Sequence, residues 1–159
     1  LTTGNKSEYA TGYATLYGDM CGAYAPLIDV WKTTVFDLAR WRNSHYPRGV
    51  LGQEGEIIPP SIIEKPPSAE LRPDQKDTDS LPDYPVLDDI MQKLVEDMRA
   101  PHDLIADGYD AAIVTKSARL LRISEYKRNQ AAPGPKITKR AFYRDRRFPI
   151  TSVYDGIGE

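Results

Sequence analysis

Apolar residues recur at helical spacing along most of this 159-residue chain, and that period constrains its fold more than any other feature. Asn5 is a capping residue with Glu8 at capping-box distance. From there Tyr9, Tyr13, Leu16 and Tyr17 fall on one face, and Gly18 is predicted to stop the helix. A second helix is predicted from Asp29 to about Asn43, burying Trp31, Val35, Leu38 and Ala39. Prolines break the stretch from His45 to Pro67, where Ile57-Ile58 suggests a short strand and Ser61-Ile62-Ile63 a helical turn. After a polar, acidic connection from Arg72, Asp83 should cap a strong helix to about Arg99. Its stripe is Leu87, Ile90, Met91, Leu94, Val95 and Met98. His102 to Gly108 predicts one short turn. Asp110 should cap a last long helix through Gln130, packed through Ile113, Val114, Ala118, Leu120 and Leu121. Beyond Ala131 the period is lost, and Pro133-Gly134-Pro135 opens an arm that is basic between Lys136 and Arg147.

Four helices with almost no strand leave two architectures open: a stand-alone all-α domain, or half of a parallel α/β domain. Leu1-Thr2-Thr3-Gly4 looks like the end of a buried strand running into a loop, in a chain that does not start with Met. The α/β half is therefore preferred, as a piece of a longer protein. The apolar share of 40% fits a globular domain. No apolar run approaches the ~18–20 residues of a membrane span. A net charge of −2 gives no overall attraction to nucleic acid or anionic lipid. Cys21 stands alone, far from His45 and His102, so neither a disulfide nor a zinc site is expected. A cytoplasmic protein is the expectation.

Several residues have the chemistry for a site. Lys32 lies in the first turn of its predicted helix, where the helix dipole disfavours a cation unless an anion is near. With the backbone amides beside it, Lys32 would complete a phosphate site; by position alone, a side chain turned to solvent is the better reading. Glu8 could hold Mg²⁺ beside phosphate oxygens, or only complete the capping box of Asn5. Tyr9, Tyr13, Tyr17 and Tyr24 could stack a flat heterocycle or simply be core, and Asp19 could accept from a ribose or be a turn residue. Ser68, stiffened by Pro66-Pro67, could meet a phosphate. Lys127 sits near a helix C-terminus, where cations are favoured in any case. In the arm, Arg140, Arg144, Arg146 and Arg147 interleave with Phe142, Tyr143 and Phe148. That pattern suits single strands of nucleic acid, but in an acidic chain it suits docking on an acidic protein surface better.

In order along the chain, these segments resemble NAD synthetases. The likeness runs through Thr2-Thr3-Gly4-Asn5-Lys6-Ser7-Glu8, Gly12-Tyr13, Tyr17-Gly18-Asp19-Met20, Lys32-Thr33 and Leu38-Ala39-Arg40-Trp41-Arg42-Asn43. It continues through Lys65-Pro66-Pro67-Ser68-Ala69-Glu70-Leu71, Asp77-Thr78-Asp79-Ser80-Leu81-Pro82 and Glu125-Tyr126-Lys127-Arg128. The ending Arg144-Asp145-Arg146-Arg147-Phe148-Pro149-Ile150-Thr151 is similar to the larger, glutamine-dependent enzymes, with Tyr143 where Gly is usual.

The resemblance implies a Rossmann-like α/β synthetase domain of the pyrophosphatase-loop type. Residues 1–130 would be its mostly α-helical C-terminal half, and 131–159 a basic irregular arm. It implies a homo-oligomer, at least a dimer, that uses ATP and Mg²⁺ to adenylylate deamido-NAD. Ammonia made from glutamine by a glutaminase domain of the parent chain would then displace AMP. No nucleic acid and no membrane would be partners. By position, Thr3, Lys32 and Ser68 match ATP-contacting residues, Glu8 a metal- and substrate-proximal carboxylate, and Tyr13, Asp19 and Lys127 deamido-NAD contacts. Lys32 and Glu8 would be catalytic. The family's Ser-Gly-Gly-x-Asp-Ser loop is found nowhere in this sequence, so this polypeptide alone is expected to be inactive and to expose the apolar faces of the helices at Asp29 and Pro85. A non-catalytic nucleotide-binding or dimerisation piece, or another ATP-dependent amidating ligase, are the alternatives. The shared expectation is one pocket drawing on Thr3, Glu8, Lys32 and Ser68.

Overall fold

Short helices wrapped around a single apolar centre make up the computed structural model, which describes residues 1–49, 51–65 and 81–152. The helices are α1 (Lys6–Thr11), α2 (Lys32–Ser44), α3 (Pro60–Ile63), α4 (Tyr84–Val95), α5 (Pro101–Ala106), α6 (Ala111–Ile123) and α7 (Glu125–Arg128). No strand occurs among the described residues. Ile57 and Ile58 do not form the expected one. Their amides donate to Asn43 Oδ1 at 3.1 and 2.9 Å, and Asn43 Nδ2 returns a bond to the Ile58 carbonyl at 2.7 Å. A side chain at the end of α2 thus takes the place of a partner strand.

The amphipathic stripe of α4 is the centre. Leu87, Ile90, Met91, Leu94 and Val95 are buried against Tyr9 and Ala10 of α1, Leu104 of α5, and Val114 and Leu121 of α6. Burying five such side chains is worth roughly 1.5–3 kcal/mol each before the entropy of ordering them is subtracted. The expectation of an exposed apolar face on this helix is therefore wrong, because α1, α5 and α6 cover it. Asp83 occupies the N-cap position of α4 but makes no side-chain cap bond; Pro85 in the first turn presets the backbone instead. The helix also stops sooner than its pattern predicts. Met98, expected on the stripe, has φ 58° and is largely exposed, because the chain turns away after Glu96 to enter α5.

Local signals hold best where the partner is near in sequence. Asn5 and Glu8 form the capping box of α1, Asp110 accepts from the Ile113 amide at 2.9 Å to start α6, and Gly108 ends the α5 turn at φ 96°. The helix from Asp110 does not run unbroken to Gln130: α6 ends at Ile123 and a separate turn, α7, follows Ser124. Nor does α1 continue to Tyr17. Gly12 takes the left-handed conformation (φ 75°), and a Cβ there would overlap the Ser124 side chain. Tyr17 is 91% exposed in the loop beyond.

α2 begins at Lys32, and Asp29 does not cap it. Its buried carboxylate instead accepts from the Ile137 and Thr138 amides at 2.8 and 2.7 Å and pairs with Lys6 at 2.9 Å. The stretch from Ala131 thereby returns across the front of α1 and α4. Ala25 donates to the Pro133 carbonyl, Arg140 Nε to the Glu96 carbonyl, and Ala132 and Phe142 are buried in the core. Of the predicted buried face of α2, only Trp31 is fully covered; Val35 and Ala39 are partly buried and Leu38 is 47% exposed, as is the neighbouring Trp41 at 46%. No helix among the described residues is long and apolar enough to cross a membrane.

Candidate functional site

The N-terminus of α2 meets the N-terminus of α1 and one face of α4, and the exposed backbone amides there must be satisfied. Ser7 accepts from the Lys32 amide at 2.9 Å and donates to Asp88 Oδ1 at 2.5 Å. Asp88 Oδ2 accepts from both the amide and the hydroxyl of Thr33, each at 2.9 Å. A carboxylate from α4 therefore caps α2 from the side. Burial pushes Asp88 above the usual carboxylate range, with the hydrogen bonds from Ser7 and Thr33 and the charge of Lys32 opposing it. Asp88 was not anticipated as a site residue. The signal was present: it lies four residues after Tyr84 and three before Met91, on the apolar stripe where a carboxylate needs a partner.

Beside this cap lie Glu8 and Lys32. Glu8 Oε2 accepts from the Asn5 amide at 3.1 Å, and Oε1 accepts from Lys32 Nζ at 3.2 Å, with both side chains 19% exposed. The Lys32 ammonium also lies over the rings of Phe36 (5.6 Å) and Tyr84 (5.7 Å), so it is held at the junction and does not swing into solvent. The structure bears out the capping-box reading of Glu8. One oxygen serves the capping box and the other faces a partly exposed cation.

Tyr9 underlies the opening loop. Its ring sits against Gly4, where a Cβ would approach Tyr9 Cε2 to 2.9 Å, so a side chain at this position would crowd the ring. Thr3 itself is exposed, and the hydroxyls of Thr2 and Tyr9 are buried beside each other with no further hydrogen-bond partner among the described residues. Burial pushes the Tyr9 phenol up, the Thr2 hydroxyl beside it pulls it back, and the carboxylates of Asp19 and Glu8 push it further. Both carboxylates therefore act on the same ring.

Tyr13, Asp19 and Lys127 gather at the other end of α1, a helix of six residues and so about 9 Å long. Lys127 Nζ donates to the carbonyls of Gly12 (2.7 Å) and Ala14 (2.8 Å), which flank Tyr13. Asp19 closes the same loop by accepting from the Thr15 amide at 2.5 Å. These contacts set the backbone on both sides of the Tyr13 ring. Gly12→Ala should therefore cost about 1–2 kcal/mol in urea unfolding, from left-handed strain plus overlap with Ser124. Ser124→Ala in the same chain should recover part of that loss. A wild-type stability for Gly12→Ala would show that α1 does not need to end there.

Glu8 and Lys32 are thus brought into contact, Thr3 lies two residues before the cap of the same helix, and Ser68 lies outside the described residues. Among the described residues no cluster of three or more His, Cys, Asp or Glu could hold a metal ion. A lone carboxylate does fit Mg²⁺ binding of the kind that draws its remaining ligands from phosphate and water.

Residues 1–131 match the family model described as NAD synthase. The chain is 57% identical over 156 residues to the glutamine-dependent NAD(+) synthetase of Xanthomonas campestris pv. campestris, covering 98% of this chain and 27% of that protein. It is 55% identical to the enzyme of the same description from Rhodobacter capsulatus, covering 96% of this chain and 28% of the relative. A glutamine-dependent NAD(+) synthetase crystal structure from Cytophaga hutchinsonii, 23% identical, shares the fold at a TM-score of 0.64 over 96% of this chain and 24% of that one. The chain spans about a quarter of the length of the curated relatives it matches. With a family match over most of its residues and relatives this similar, the chain belongs to the NAD synthase family.

Proposed function

We propose that this chain supplies the C-terminal part of the synthetase domain of a glutamine-dependent NAD synthetase, Rossmann-like and α/β as a whole. The observation that carries the reading is the Glu8–Lys32 pair held at 3.2 Å where α1, α2 and α4 meet. In the reaction, a carboxylate oxygen of deamido-NAD attacks the α-phosphorus of ATP, and the bond to the β-phosphate breaks to release pyrophosphate. Ammonia then attacks the acyl carbon, AMP leaves with the bonding pair, and a proton is lost. The ammonia would come from glutamine through a glutaminase domain of the parent chain.

Within that scheme Lys32 exchanges its bond to Glu8 for one to a phosphate oxygen, offsetting charge that grows on the departing pyrophosphate. The exchange frees Glu8 Oε1, the oxygen not committed to the capping box, as the atom that would hold Mg²⁺. When bound, Mg²⁺ supplies further neutralisation of phosphate charge. Thr3 contacts ATP beside Gly4, Ser68 reaches a phosphate, and Tyr13 stacks on the nicotinate ring. Lys127 and Asp19 hold the Tyr13 loop and bind deamido-NAD. The half-exposed Leu38 and Trp41 of α2 support a homo-oligomer that covers this face.

The test is a chimera in which this sequence replaces the matching segment of the Xanthomonas relative. It should form NAD from deamido-NAD, ATP and ammonium. Glu8→Gln or Lys32→Gln within it should lower kcat about 100-fold or more while the melting temperature holds. The 159-residue chain alone should form none. A folded chimera without activity, or one indifferent to both substitutions, would overturn the assignment.

A further inference from the structure

A cavity of about 320 Å³ opens between α4, α5, α6 and the returning arm, sharing no lining residue with the Glu8–Lys32 junction. Its walls are apolar, built by Leu94, Ala118, Leu121 and Phe148, and its size is at the lower end of small-ligand pockets. Two guanidinium groups enter this apolar space, Arg122 and Arg146. Neither pairs with a carboxylate among the described residues. Arg122 Nη1 donates only to the Ser152 carbonyl at 2.9 Å, and Arg146 Nη1 only to the Leu94 carbonyl at 2.5 Å. Among the described residues, the Nε of each is buried with no partner. A third arginine, Arg99, also lines the cavity, but Asp107 neutralises it at 2.5 Å.

Positive charge set into an apolar wall without a counter-charge is costly, and folded proteins normally pair it. The surroundings add to that cost. Burial lowers Arg146 to about 10, the charges of Arg128 and Arg140 push in the same direction, and Glu125, itself paired with Arg128, opposes them. Phe148 lies over the Arg146 guanidinium at 4.5 Å, and among the described residues only Nη1 is hydrogen-bonded, to the Leu94 carbonyl. A planar guanidinium fork beside a ring suits a two-oxygen anion, and the apolar walls suit a hydrocarbon body.

We propose that this cavity binds a small organic anion, a carboxylate or phosphate monoester with an apolar body, through Arg122 and Arg146. The site takes amphiphilic anions, not inorganic ions: the charge meets the guanidinium groups and the hydrocarbon displaces water from Leu94, Leu121 and Phe148.

The experiment titrates the 159-residue chain with benzoate, phenyl phosphate, inorganic phosphate and benzyl alcohol, followed by thermal shift and calorimetry. Benzoate or phenyl phosphate should bind with Kd below about 1 mM, and the tighter of the two identifies the head group as carboxylate or phosphate. Inorganic phosphate and benzyl alcohol should bind at least about tenfold more weakly. Arg146→Gln and Arg122→Gln should each weaken the preferred probe by about tenfold or more, and the exposed Arg144→Gln should leave it unchanged. Should Arg146→Gln fail to fold, Ala118→Leu, which fills the cavity and keeps both charges, must abolish binding. Saturation by no probe, equal binding of inorganic phosphate, or indifference to Arg122→Gln and Ala118→Leu would overturn the proposal.

Discussion

Replacing Lys6 by methionine is expected to remove about 3–5 kcal/mol of unfolding free energy, a large part of what a domain of this size possesses. Lys6 is fully buried in the first turn of α1, and its ammonium is the hub of a network drawn from four segments of the chain. It pairs with Asp29 at 2.9 Å and Glu96 at 3.0 Å, and donates to Thr138 Oγ1 at 2.5 Å and the Arg140 carbonyl at 2.8 Å. Its charge also lies 4.7 Å from the Trp31 ring centre and 5.7 Å from that of Phe142. Methionine matches the stem but leaves Asp29 and Glu96 facing each other without a cation, so the penalty is that of stranded charge, not of lost volume. The melting temperature should fall by about 10 °C or more. Lys93→Met, which breaks the exposed pair with Asp89, should cost under about 1 kcal/mol. Comparable losses for both variants in urea unfolding would mean that the Lys6 network is not what fastens the arm to the helices.

The same network shows where sequence reasoning stops. Helices with local signals were legible: Asn5 and Glu8 are three residues apart, Asp110 and Ile113 likewise, and the α4 stripe has its own period. Asp29 had every local mark of an N-cap, yet its partners are Ile137 and Thr138, 108 and 109 residues away. No helix-propensity argument reaches that far. α1 failed to extend for a related reason. The aromatic spacing from Tyr9 to Tyr17 favours continuation, but Ser124, Lys127 and Arg128 claim the space and the carbonyls around Gly12. In the candidate site, the residue types of Glu8 and Lys32 were legible, and their contact was not. Their proximity follows from Ser7 and Asp88 joining α1, α2 and α4, a junction built from a serine and a carboxylate on otherwise ordinary helix faces. The arm looked like a basic tail because its arginines dominate composition. Its bonds, however, are made largely by backbone and by Thr138, which composition does not distinguish.

Arg128→Lys should destabilise the fold by about 3 kcal/mol or more, although charge is kept and the stem is of similar length. The guanidinium of Arg128 is buried and uses its whole fork. Nη1 donates to the carbonyls of Tyr9 and Ala10 at 3.0 and 3.2 Å, which belong to the last turn of α1 and have no helical partner. Nη2 donates to the Leu121 carbonyl and to Glu125 at 2.8 Å, Nε donates to Glu125 at 3.2 Å, and the plane lies 4.8 Å from the Phe142 ring centre. Burial pulls Arg128 below its ordinary range while Glu125 holds it up. An ammonium cannot span the ends of α1 and α6 together, so lysine must abandon either the carbonyls or Glu125. The contrast between two methionine variants separates these contributions. Arg128→Met alone strands Glu125 and three carbonyls; Arg128→Met with Glu125→Met strands only the carbonyls. The double variant should therefore be the more stable of the two by about 1 kcal/mol or more, despite carrying one more substitution. Because Lys127 is the next residue and grips the carbonyls on either side of Tyr13, loosening Arg128 should also free that loop, seen as increased hydrogen exchange at the Tyr13 and Ala14 amides. If Arg128→Lys unfolds within about 1 kcal/mol of wild type and exchange at Tyr13 is unchanged, the fork is dispensable. The end of α1 must then be set by Gly12 and Ser124 alone.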